Sequence, residues 1–184
     1  MGRQAVRRLP RDRGMIPAAA RWMTESGAQL AHLQQAWTTG TLVEVPIGRL
    51  WDIVRITDRL GRMTLARAAA LGAPIGPVLE VPARGVVEIV VPPGTAAAWP
   101  ALPWTTAAAS GHLICPVPPM HRAGGRGRAP RHWLVPPVGP HLATDPDALC
   151  ESVAAELLHR AIAAELLRHD TYVHPDTTAK GDAR

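Results

Sequence analysis

The stretch GPVLEVPARGVVEIVVPPG, residues 76–94, decides the class of fold. It holds two short apolar runs rich in valine and isoleucine, joined by Pro82-Ala83-Arg84-Gly85 and stopped by Pro92-Pro93-Gly94. β-Branched residues fit a pleated, half-buried surface, and proline and glycine supply the turn geometry between strands. The runs are also too short for stable helices. Residues 76–94 therefore read as two adjacent strands. Toward the N-terminus, LVEVP (42–46) and WDIVRI (51–56) have the same character and are predicted to pair across Ile47-Gly48-Arg49. On this reading 42–92 forms one sheet, with a helix over 58–71 that Thr57 or Asp58 caps, Gly72 ends, and Leu60, Met63 and Leu65 pack down.

Working outward, 17–25 and 28–37 read as two short helices split by Ser26-Gly27, with Gly40 at the C-terminal end where a left-handed residue is favoured. After the central strands come a short helix at 95–99 and an irregular crossing to residue 110. GHLICPVPPMHRAGGRGRAPRHWLVPP, residues 111–137, then reads as a hairpin: a strand joining the same core, a Pro-Pro stop, an arginine- and glycine-rich loop, and a second strand ending in Pro-Pro. From Asp145 the pattern is helical to 169. Asp145 caps the helix, Pro146 takes the first position, and Leu149, Val153, Leu157 and Leu158 form the buried stripe. Within it AAELLHR (154–160) nearly recurs as AAELLRH (163–169). A nine-residue shift at about 100° per residue turns the copy to the opposite face, so one Leu pair needs a partner outside the core. The fold class is α+β: one domain over 15–169 with a mixed or antiparallel sheet flanked by helices, a basic arm over 1–14, and a polar tail over 170–184.

The chain of 184 residues is long enough to bury a core without staples, and with no Phe and one Tyr that core is aliphatic with six Trp as its large pieces. Of 20 basic residues all but Lys180 are Arg. Arg3, Arg7, Arg8, Arg11 and Arg13 against Asp12 place most of the net charge of +5 before Met15. The first 14 residues read either as a flexible basic arm or as an upstream extension of the reading frame with Met15 as the start. No apolar segment of signal-peptide or membrane-spanning length follows, which predicts a cytoplasmic protein without membrane contact. Cys115 and Cys150 lack ligand spacing and read as reduced, structural thiols. Ser110 lies outside a nucleophile-elbow pattern, which leaves a hydrolase unsupported.

The order of elements, carried by GRLWDIVRI, GPVLEVPARGVVEIVVPPGTAAAW and GHLICPVPPMHR with RHWLVPP, resembles the N-terminal primase-polymerase (PrimPol) domain of bacterial bifunctional DNA primase/polymerase proteins. That domain belongs to the archaeo-eukaryotic primase superfamily, and the chain is similar to its small, divergent actinobacterial form over roughly residues 17–150. The resemblance implies two carboxylates one residue apart on a strand, a histidine on the next, and a further acidic residue near the crossing. Together they hold magnesium or manganese against nucleotide phosphates. Carried over, these positions fall on Arg55 and Thr57, on Val86, and on Thr105, and none is a ligand. The expectation is a pseudoenzyme that has lost its metal ligands and needs no cofactor. If the correspondence slips by a residue or two, Asp52, Asp58 and Glu88 form an irregular acidic set for residual Mg/Mn-dependent nucleotidyl transfer; structurally they read as a strand-edge residue, a helix cap and the polar side of a strand.

Between Glu88 and Asp145 there is no acidic residue, while His112, His121, Arg122, Arg126, Arg128, Arg131, His132 and His141 accumulate. The histidines lack cysteine or carboxylate companions at metal-ligand spacing. His121, Arg122, Arg126, Arg128 and Arg131 are the candidate phosphate contacts to DNA or RNA, since guanidinium forks and glycine N–H groups suit phosphate oxygens. The competing reading is a solvated hairpin tip in an arginine-rich protein. Trp51 and Trp133 read either as base-stacking surfaces or as core. The alternative function is a protein-interaction domain that meets its partner through the C-terminal helix.

Overall fold

A computed structural model describes residues 15–118 and 131–173. Helices α1 (Met15–Glu25) and α2 (Leu30–Thr39) come first, followed by strands β1 (Leu42–Pro46) and β2 (Asp52–Thr57), helix α3 (Asp58–Ala70) and strands β3 (Val78–Val81) and β4 (Val86–Val91). A short helix α4 (Thr95–Ala98), strands β5 (Thr105–Ala108), β6 (His112–Pro116) and β7 (His132–Val135), and the long helix α5 (Pro146–Val173) complete the order. The fold is α+β, as the sequence predicts.

The strands form a five-stranded sheet in the order β5-β2-β4-β3-β7 and a separate pair β1-β6, antiparallel throughout. Side chains alternate across the large sheet. Its front face carries Ile53, Leu79, Val81 and Val90 into a core shared with Trp22 and Met23 of α1, Leu33 of α2, Val43 and Val45 of β1, and Leu113 and Cys115 of β6. Its back face carries Val54, Ile56, Val78, Val87, Ile89 and Val91 against Leu60 of α3 and Leu149 and Val153 of α5.

Three expectations are corrected. First, 42–92 is not one sheet. At Gly48 φ is +91°, its N–H donates to Trp51 O, and an added Cβ would stand 1.8 Å from Ala109 O. The chain therefore leaves the strand plane there instead of reversing within it, and β1 pairs with β6 over the front of the large sheet while β2 pairs with β4 and β5. Second, β6 and β7 are not a hairpin. Trp133 Nε1 donates to Pro116 O, but the backbone of β7 pairs with β3 on the far edge of the large sheet. The strand at 111–117 does join the front core, through Leu113, Cys115 and Val117. Third, the crossing at 94–110 contains β5, a TTAA segment whose small apolar content carries no strand signal.

α5 begins as expected, with Ala148 N donating to Asp145 Oδ1, and continues to Val173 rather than ending at 169. Leu149 and Val153 are fully buried and Leu157 half-buried, but Leu158 is 63 % exposed and leaves the expected stripe. Among the described residues no helix is long and apolar enough to cross a membrane.

Candidate functional site

Glu88 stands in the middle of VVEIVV, the most apolar strand, and is buried. In the β2–β4 register it faces Arg55, so both side chains leave the front of the sheet. Arg55 Nε donates to Glu88 Oε1 at 2.9 Å. Arg131 Nη1 donates to Glu88 Oε2 at 3.0 Å and to Ile114 O at 2.9 Å, so it reaches from β7 past Glu88 to the backbone of β6. Burial of an isolated carboxylate is costly, and two charge-assisted bonds are what make this position tolerable. The side chain of Arg131 is 10 % exposed and that of Arg55 27 %, so Arg55 forms the wetter side of a cluster carrying one net positive charge.

The positions that the primase-polymerase resemblance assigns to metal chemistry fall around this cluster. Arg55 faces Glu88 and Thr57 faces Val86, and all four belong to the front face. Thr105 faces the other way: it is paired with Ile56, and its hydroxyl accepts from Trp99 Nε1 and donates to Leu102 O. Its neighbour Thr106, paired with Arg55, is the residue of β5 on the front. The front face thus presents guanidinium, hydroxyl and isopropyl groups where hard oxygen ligands would be needed. These residues do not fit a divalent cation, because an arginine at a ligand position adds a repelling charge and Glu88 is already committed to two guanidinium groups.

The irregular acidic set does not assemble either. Asp52 lies three residues before Arg55 and so on the back of the sheet, where its buried Oδ2 accepts from Ala96 N and anchors the start of α4. Asp58 sits in the first turn of α3 and accepts from Arg62 Nε at 2.6 Å. Glu88 is on the front. Among the described residues no three His, Cys, Asp or Glu side chains are grouped to hold a metal.

Of the predicted phosphate contacts, His121, Arg122, Arg126 and Arg128 lie outside the described residues. Arg131 is corrected. It is a buried bridge between the two sheets, already neutralised by Glu88, rather than an open loop cation. The next residue, His132, contacts Glu80 on the back, and Arg62 contacts the same carboxylate. His112 and His141 are exposed. Trp51 and Trp133 are core residues: Trp51 stacks on Trp22 at 4.9 Å, Trp133 meets Trp22 edge-on at 6.3 Å, and Trp51 Nε1 donates to Ser26 Oγ. The Cys115 thiol is fully buried behind the cluster. Desolvation pushes its pKa far up, nearby Arg131 opposes this, and Glu88 adds to it, so the thiol stays protonated and inert.

One residue that sequence reasoning passed over is Trp104. It precedes β5 at φ +59°, the only non-glycine among the described residues with positive φ, and is 59 % exposed. The available signal is Pro103-Trp104, a proline that starts a turn followed by a large aromatic in the position that favours glycine.

Comparison of the chain with protein-family models, with curated proteins and with solved structures returns no match.

Proposed function

We propose that this chain is a primase-polymerase-like pseudoenzyme that binds nucleic acid or nucleotides without turning them over. The observation that carries the reading is the Arg55–Glu88–Arg131 cluster, which sits where the resemblance calls for metal-binding carboxylates. An ion cluster of net positive charge attracts phosphate and repels a divalent cation, so one substitution pattern supports both binding and loss of catalysis. The acid-free sequence from 89 to 144 adds a second source of positive potential. The test is a salt titration of binding to single- and double-stranded oligonucleotides, combined with primed-template extension in magnesium or manganese. Salt-dependent binding without extension is expected. Extension that disappears in Asp52→Ala or Glu88→Ala would overturn the pseudoenzyme reading. Replacing Arg122, Arg126 and Arg128 together by Ala is expected to flatten the salt slope by about 0.9 per lost phosphate contact on duplex DNA.

A second reading, a protein-interaction domain, is favoured by one feature of α5. Past Arg160, whose Nη2 still reaches Met63 Sδ of α3, residues 161–169 are all exposed, and Leu158, Ile162 and Leu166, four residues apart, are 63, 51 and 65 % exposed. A helix face of this kind is usual where a partner helix docks. Concentration-dependent sedimentation, with Ile162→Glu as control, separates this reading from the first.

A further inference from the structure

We infer that Trp104 is a stacking platform for one base of a single-stranded nucleic acid whose phosphate is held by Arg55. This deepens the proposed nucleic-acid reading and rests on it.

The first ground is strain. Leu102 O accepts from Thr105 N at 3.3 Å, which closes a turn with Pro103 and Trp104 at its centre. The second central position takes positive φ, a conformation that glycine adopts freely and a bulky L-residue does not. A tryptophan kept in a strained backbone and left largely in water does little for the core. Such outliers concentrate where a side chain is presented to a ligand.

The second ground is position. Thr57 N donates to Trp104 O at 3.1 Å, which continues the β2–β5 register and sets Trp104 beside Thr57 at the end of the sheet. Arg55 is two residues back along β2, about 6.8 Å, a separation suited to a base and its own phosphate. Nε of Arg55 is used by Glu88, and its terminal nitrogens have no partner among the described residues. Exposed Arg59 and Arg84 flank the same sheet end, while the nearby Asp58 is paired with Arg62. An exposed aromatic among arginines suits single strands, whose bases are free to stack. A duplex offers its backbone but not its base faces.

The experiment measures binding of a labelled oligothymidylate, the matching duplex and a free deoxynucleoside triphosphate to the full chain, alongside Trp104→Gly, Trp104→Phe and Arg55→Ala. Glycine relieves the strained φ, so Trp104→Gly is expected to melt no lower than the parent while losing on the order of 5- to 150-fold in single-strand affinity. Trp104→Phe retains part of that affinity, and duplex binding does not respond. Arg55→Ala lowers the single-strand salt slope by about 0.7. If the parent binds single strands with salt dependence and Trp104→Gly binds equally well, the platform is wrong while nucleic-acid binding stands. If the parent binds no nucleic acid at low salt, the functional reading fails with it. A Trp104→Gly protein that unfolds makes the indole structural, and a free triphosphate that competes fully with the strand makes the occupant a nucleotide; either result overturns the inference.

Discussion

Removing Glu88 tests the central electrostatic argument. Glu88→Ala leaves Arg131, whose side chain is 10 % exposed, with Ile114 O as its remaining partner, while Arg55 can turn into water. Breaking a buried pair from one side costs about 3–5 kcal/mol, whereas a pair with a well-hydrated partner contributes about 1 kcal/mol or less. The lower end of the first range applies, because Arg131 keeps one good acceptor. Glu88→Ala is therefore expected to lose about 3 kcal/mol, which for a domain of this size lowers the melting temperature by about 6–12 °C. Arg131→Ala strands Glu88 and costs a similar amount, softened by the remaining Arg55 bond. Arg55→Ala costs about 1 kcal/mol. The assay is thermal and urea unfolding of the three single variants and the Glu88→Ala/Arg131→Ala double, followed by circular dichroism. Because each single variant leaves an uncompensated charge and the double leaves none of this pair, the double is expected to cost about 2 kcal/mol less than the sum. Costs that simply add, or a Glu88→Ala protein that melts within about 2 °C of the parent, would refute the claim that these charges hold each other in the interior.

Three further outcomes follow from the structure. Gly61 of α3 lies against β4, where an added Cβ would stand 2.2 Å from Val87 Cγ2; Gly61→Ala gains about 1 kcal/mol of helix propensity but incurs about 1–3 kcal/mol of overpacking, so it is expected to lower the melting temperature despite being the better helix former. The buried Cys115 thiol has a folded pKa raised above its unfolded value, so its contribution to stability is complete below about pH 8.5 and falls by about 1.4 kcal/mol per pH unit above it. With one Tyr and one Lys in the chain, the main other contributor there is the Cys150 thiol, which partial burial also pushes up, so Cys115→Ala is expected to reduce that alkaline slope in urea unfolding and Cys115→Ala/Cys150→Ala to flatten it. Asp52→Asn keeps an oxygen for Ala96 N and is expected to cost under about 1.5 kcal/mol, whereas Asp52→Ala leaves that N–H unpaired and costs about 1–3 kcal/mol; equal losses in urea unfolding would place the anchor of α4 elsewhere.

The central strands, α3 and the start of α5 were legible in the sequence because local rules fix them: β-branched runs bounded by proline and glycine, and an Asp-Pro helix start. What was not legible is non-local. Nothing within LVEVP says that its partner is ICP seventy residues on rather than WDIVRI five residues on; the Gly48 turn against Ala109 decides that, and it exists only in three dimensions. β5 was missed because an edge strand of threonine and alanine has no apolar signature. The Arg131 bridge left a partial trace. Glu80 and Glu88 each interrupt an otherwise apolar strand, and a carboxylate in such a setting implies a buried cation, although not which one.

These two carboxylates also govern how positive charge is divided between architecture and binding. Glu88 faces the front of the sheet and Glu80 the back, and consecutive residues of one strand point to opposite faces. Arg131 and His132 meet them one on each side as the chain enters β7. The edge strand is thereby held at its first step by charge contacts on both faces, and Arg131 is used up in doing so. A phosphate arriving at the front of the sheet meets Arg55 instead. Its charge is partly offset by Glu88, so any gain comes from its two terminal nitrogens, which have no partner among the described residues, rather than from net charge alone. One such contact is weak by itself. For this face to hold a strand it must add an interaction that salt does not screen, and the exposed indole of Trp104 is placed to supply it.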